Sequence, residues 1–130
     1  PGYAAALLAA LTLFSVASAD QGASPADVLP LFAVEIRIGP DWDTSKPPGE
    51  QPYFKEHSTH LKQLRDAGHI VMGARYSDLG LLVFAAESAD NVREMMRRDP
   101  SMQAGTFRFD VHPMNAFYPW RAPARNVTID

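Results

Sequence analysis

Apolar and polar positions alternate from Leu31 to Ile38, with Phe32, Val34, Ile36 and Ile38 on one face and Ala33, Glu35 and Arg37 on the other. A period of two predicts a half-buried strand. From Pro52 to about Ala67 the period lengthens, and Phe54, His57, Leu61 and Leu64 share one stripe of an amphipathic helix that Gly68 would close. Two apolar runs follow, His69 to Arg75 and Gly80 to Ala85, with the turn-rich spacer Tyr76-Ser77-Asp78-Leu79 between them, and this reads as a hairpin. Ser88 is placed to cap a second helix that turns Ala89, Val92, Met95 and Met96 inward. Arg97 and Arg98 suit the negative end of that helix, and Asp99-Pro100 stops it. Gly105 to Pro113 alternates again, Phe107, Phe109 and Val111 against Arg108, Asp110 and His112. No internal repeat is present.

The order β-α-β-β-α-β predicts an α+β, ferredoxin-like fold: a four-stranded antiparallel sheet with two helices on one face. Glu35, Arg37, Arg108, Asp110 and His112 then share the other face, a mixed polar surface that invites a second copy to pack sheet against sheet. A homodimer is expected. The segment Gly39 to Gln51 holds three Pro and two Gly beside Asp41, Trp42 and Asp43, a composition that predicts a long loop with a functional role.

Ahead of the domain, Ala4 to Ala19 carries no charge and ends in Ala17-Ser18-Ala19, followed by Asp20. That is the pattern of a secretory signal with small residues before the cleavage point, here without a basic leader in front. The expected organisation is a signal peptide truncated at its front at 1–19, a lead-in at 20–30, the domain at 31–120 and a tail at 121–130. The mature protein is expected to be exported, periplasmic or secreted, and free of the membrane once the signal is removed. An anchoring helix is the alternative for the front. At 130 residues the chain has room for one ordinary domain. Twelve Lys and Arg against fifteen Asp and Glu give −3, without the basic excess that a nucleic-acid partner needs. The absence of cysteine removes thiolate chemistry and leaves His and the carboxylates as the chemical groups.

Two stretches carry a resemblance: His57-x3-Leu61-x2-Leu64-x3-Gly68 running into His69 to Gly73, and Asp99-Pro100 followed by Ala104-Gly105, an aromatic strand and His112-Pro113. In order and separation they resemble the YciI-like (YCII-related) family of the dimeric α+β barrel superfamily, over about residues 31 to 118. The resemblance implies that His57 and Asp99 form the active site. The Gly39 to Gln51 insertion and the export signal depart from the small cytoplasmic members. Independently of the family, a carboxylate on one imidazole nitrogen fixes the tautomer and raises the basicity of the other, which suits a general base or acid. The bland alternative is a core histidine bonded to backbone and an aspartate that merely ends a helix.

Other residues carry weaker signals. His57 and His60 could grip a metal from one helix face, beside Glu56, but no third ligand is marked and no metal is expected. His60 is otherwise a candidate substrate contact. Arg75 and Asp78 flank the hairpin turn and could bind a substrate carboxylate or stay solvated. Trp42 could lid a pocket or fold back on the domain. Tyr118 and Trp120 suit dimer or edge packing, and Asn126-Val127-Thr128 is a sequon with meaning only in a eukaryotic secretory setting.

Two functions follow as expectations. The first is a cofactor-independent enzyme of lyase or isomerase type acting on a small organic substrate. His57 moves the proton, Asp99 orients it, and Arg75 holds an anionic group. The resemblance implies elimination or isomerisation, since such members include a dehydrochlorinase acting on a chlorinated hydroxyquinol. The second is a non-catalytic, dimeric, exported protein that binds a small ligand. A Gly39 to Gln51 loop that closes over His57 favours turnover, and one that points away favours passive binding.

Overall fold

The computed structural model describes residues 28–119. The expected signal peptide, most of the lead-in, Trp120, the tail and the sequon lie outside those residues. The chain runs β1 (Leu31–Ile38), α1 (Phe54–Asp66), β2 (Ile70–Tyr76), β3 (Leu79–Ala85), α2 (Ala89–Arg97), α3 (Pro100–Gln103) and β4 (Phe107–Met114). The strands form one sheet in the order β2-β3-β1-β4, and every neighbouring pair is antiparallel. β3 is inserted between β1 and β2, and β1 between β3 and β4, which is the split βαβ arrangement of a ferredoxin-like fold.

Strand alternation divides the sheet as the sequence predicts. Phe32, Val34 and Ile36 of β1 are buried and face Val92, Met95 and Met96 of α2, with Leu61 and Leu64 of α1 packed against the same cluster. Phe84 and Met96 are sealed completely at its centre. Burying side chains of that size contributes roughly 1.5–3 kcal/mol each. Glu35, Arg37, Asp110 and His112 occupy the opposite face, where Arg37 bonds Glu35 at 2.8 Å and approaches Asp110 at 3.8 Å. His112 lies 3.9 Å from Glu35.

Several boundaries differ from the sequence reading, β4 among them, which runs Phe107–Met114 rather than Gly105 to Pro113. The hairpin pairs Tyr76 with Leu79, so its turn is only Ser77-Asp78 and both strands reach one residue further toward it. Ser77 takes φ 52°, as such a tight turn requires. His69 drops out of β2 because its amide closes α1 instead, bonding the Leu64 carbonyl while Gly68 bonds Arg65. α1 begins at Phe54 rather than Pro52, because Tyr53 at φ 62° forms a left-handed cap. A short 3-10 turn, Pro48–Glu50, also forms within the loop expected to be irregular.

The largest addition is α3. Asp99-Pro100 stops α2 as expected, but the same two residues open a new helix. Asp99 accepts the Ser101 amide as its cap and Pro100 fills the first position, where its missing N–H matters least. Ser88 caps α2 by accepting from the Asn91 amide at 3.1 Å, as its position predicts.

The start of the long loop is tied to the residues just ahead of β4. Gly39 donates to the Thr106 carbonyl at 2.8 Å, and Asp41 to the Gly105 carbonyl at 2.9 Å. A Cβ on Gly39 would strike the Gly105 carbonyl oxygen, and one on Gly105, at φ 77°, would strike the Asp41 carboxylate. The loop's interior is organised by buried Gln51. Its Oε1 accepts the Asp43 amide at 2.9 Å, and its Nε2 donates to the Asp43 and Lys46 carbonyls at 2.6 and 2.9 Å.

Candidate active site

His57 sits in the first turn of α1, on the stripe that faces the sheet, and Asp99 arrives from the α2–α3 junction. Their meeting places His57 Nδ1 2.5 Å from Asp99 Oδ2. Asp99 is wholly buried and His57 is 8 % exposed. The carboxylate has further donors: Ser101 gives Asp99 Oδ1 both its backbone N–H, at 2.9 Å, and its hydroxyl, at 2.7 Å. Burial opposes the charge on Asp99, but the hydrogen bonds from His57 and Ser101 outweigh it and hold the carboxyl below its usual range. An ionised Asp99 requires hydrogen on Nδ1, which leaves the lone pair of a neutral ring on Nε2.

No described residue bonds Nε2, yet no buried side-chain nitrogen or oxygen among them lacks a partner, so Nε2 must be solvent-accessible. The ring itself lines a cavity of about 560 Å³, within the usual range for small-molecule sites. Phe107 lies against the imidazole, with centroids 4.6 Å apart and the planes tilted by 32°. Trp42 also packs on Phe107, with centroids 5.5 Å apart. Phe54, Leu61 and Pro48 complete much of the apolar wall.

The sequence candidates divide sharply by place. Arg75 and Asp78 line the same cavity as His57, on the hairpin side, and Arg75 has no ion-pair partner among the described residues. Its register opposite Gly80, the partner of inward-facing Ile36, turns it toward the helix side of the sheet. His60 is elsewhere. Its Nε2 donates to the Met95 carbonyl at 2.8 Å, and it borders a shallow surface depression with Glu56, Arg98 and Pro100. His57 and His60 therefore serve different partners, and among the described residues no three His, Cys, Asp or Glu side chains gather where they could hold a metal ion. The two readings of Trp42 merge: it folds back onto Phe107 and walls the cavity from the loop. Tyr118 lies on the other face of the sheet, in a groove with Phe117, Val71 and Leu31.

Three contributors escaped the sequence reading. Ser101 reads as one residue past a stop, and only the dual use of Asp99-Pro100 as stop and start would have marked it. Phe107 is one of several inward aromatic positions, and nothing in its alternation says that it touches an imidazole. Gln51, at a loop end, carries no local signal for its interior role.

No helix among the described residues is long and apolar enough to cross a membrane. Comparison with known families matches residues 36–115 to the YCII-related domain. No curated protein matches the chain.

Proposed function

The chain belongs to the YCII-related domain family, and from that premise we propose that it is a cofactor-independent enzyme that moves a proton on a small organic substrate. One observation carries the reading: His57, its Nδ1 committed to a buried carboxylate, lines an aromatic-walled cavity that also holds Arg75, which has no ion-pair partner among the described residues. In the proposed reaction Nε2 takes a proton from substrate carbon or oxygen, and Asp99 stabilises the imidazolium that results. The proton then returns at a second position, completing an isomerisation, or passes to solvent after a leaving group departs with its electron pair, completing an elimination. Arg75 pairs with an anionic group on the substrate, and Asp78 beside it accepts a hydrogen bond.

The loop favours turnover over passive binding, because Trp42 and Pro48 wall the cavity into which His57 opens. The test is a panel of hydroxyaromatic and enolisable carboxylate anions, with and without chlorine, incubated in D2O and followed for deuterium incorporation and chloride release. Wild type is expected to turn over at least one of them, and His57→Gln to lose roughly 100-fold or more. A wild-type protein that binds panel members yet exchanges no proton and releases no chloride would leave the passive small-ligand protein as the reading.

We also propose the homodimer expected from the outer sheet face. Val71, Phe117 and Tyr118 are more than half exposed there, beside Leu31 and Met114, in one contiguous apolar groove. Export rests on the Ala4 to Ala19 pattern alone. Cell fractionation with N-terminal sequencing tests it, and a mature chain beginning at Asp20 is the expected result.

A further inference from the structure

Ser101 is fully buried and does not line the cavity, so it touches no substrate there. It touches both members of the pair instead. Its Oγ lies 2.7 Å from Asp99 Oδ1 and 3.2 Å from His57 Nδ1. A hydroxyl has one hydrogen. With that hydrogen on the carboxylate, the contact to the ring must draw its hydrogen from Nδ1, so the ring N–H lies between two acceptors, Asp99 Oδ2 and Ser101 Oγ. The opposite tautomer would set a nitrogen lone pair against two oxygens. Ser101 also anchors Asp99 Oδ1 twice, through N–H and O–H, so twisting the carboxylate away from the ring breaks at least one of those bonds.

We propose that Ser101 is a positioning residue for His57, holding the carboxylate against Nδ1 and keeping the lone pair on Nε2, where the cavity can use it. This rests on the proton-transfer reading of the same site. Ser101 itself does no chemistry: it is sealed from the cavity and its hydrogen is committed.

Because the substrate is unidentified, the test reads Nε2 directly. Diethyl pyrocarbonate transfers its ethoxycarbonyl group to an unprotonated imidazole nitrogen, releasing ethanol and carbon dioxide, and at His57 the accessible nitrogen is Nε2. Peptide mass mapping follows His57 against exposed His69 and His112 in the same sample. Nitrogen-15 NMR reports the tautomer, and carbon-13 NMR the Asp99 titration. Ser101→Ala is expected to slow His57 modification roughly tenfold, admit an Nε2–H population and move the Asp99 titration upward. Ser101→Thr, which keeps the hydroxyl, is expected to restore all three. Should Ser101→Ala not fold, Ser101→Cys decides, since its weaker donor predicts a slowing between wild type and Asp99→Asn. A folded Ser101→Ala, or Ser101→Cys in its place, with wild-type rate and spectra overturns the proposal. Asp99→Asn separates the two claims. If it slows His57 and Ser101→Ala does not, only the role of Ser101 falls. If Asp99→Asn also leaves His57 unchanged, the proton-transfer reading falls with it.

Discussion

The two faces of one sheet each carry a short side-chain pair built on a carboxylate, and the pairs differ in almost everything else. On the helix side His57 and Asp99 meet at 2.5 Å with the carboxylate fully buried and each of its oxygens committed. On the open side Arg37 and Glu35 meet at 2.8 Å with about a third of each side chain in water. The open pair is loose in its loyalties, because Arg37 also reaches Asp110 and Glu35 also reaches His112. The Arg37 hydrogen bond is the main reason that Glu35 is held below its usual range. Distance alone would rank these pairs as near equals. What separates them is that water can replace either partner outside and neither inside.

The sharpest way to break the comparison is Asp99→Ala. It removes the partner of His57, the cap of α3 and the acceptor for Ser101 together, and is expected to destabilise the fold by about 3 kcal/mol in urea unfolding. A loss no larger than that from an outer-face substitution would make the two pairs equivalent. Next comes pH. Asp99 titrates below its unfolded value of about 3.9, so its contribution is fully present above that value and is lost as pH falls through the depressed folded value. The stability gap between wild type and Asp99→Asn should therefore close on acidification, measured as urea midpoints across an acidic series. A gap that widens toward acid would reverse the sign of the argument.

Val71→Asp probes the open face through assembly rather than folding. Sedimentation should show the proposed dimer shifted to monomer by roughly tenfold or more in dissociation constant, with the tautomer of His57 unmoved. Smallest of all is Glu35→Gln, which should leave the unfolding midpoint close to wild type, with the residual difference disappearing as salt is added.

Strand alternation made the faces legible because a period of two needs no partner to be read. Phe32, Val34 and Ile36 are buried where the pattern puts them, and Glu35 and Arg37 pair on the face opposite. The meeting of His57 with Asp99 was legible as a resemblance and as chemistry, but its geometry depends on α3, four residues long and nucleated by a stop signal. Propensity sums carry little over so short a stretch. Ser101 inherits that invisibility. The loop was legible as a loop but not in its closure, since Gln51 acts through backbone carbonyls whose positions only the folded segment defines.

Where Gly39 and Gly105 cross, a side chain on the first would strike the main chain of the second, and one on the second, already at positive φ, would strike the Asp41 side chain. A saturation library of this gene should therefore return glycine almost alone at both codons, while neighbouring Thr44 and Gly49 in the same segment accept many replacements. Gly39 lies at the start of the long loop and Gly105 just ahead of β4, so a change at either would first be felt as a misplaced Trp42 against Phe107, the ring that packs on His57. Survivors at these two codons should be sorted by the shape of the cavity roof before they are sorted by melting temperature.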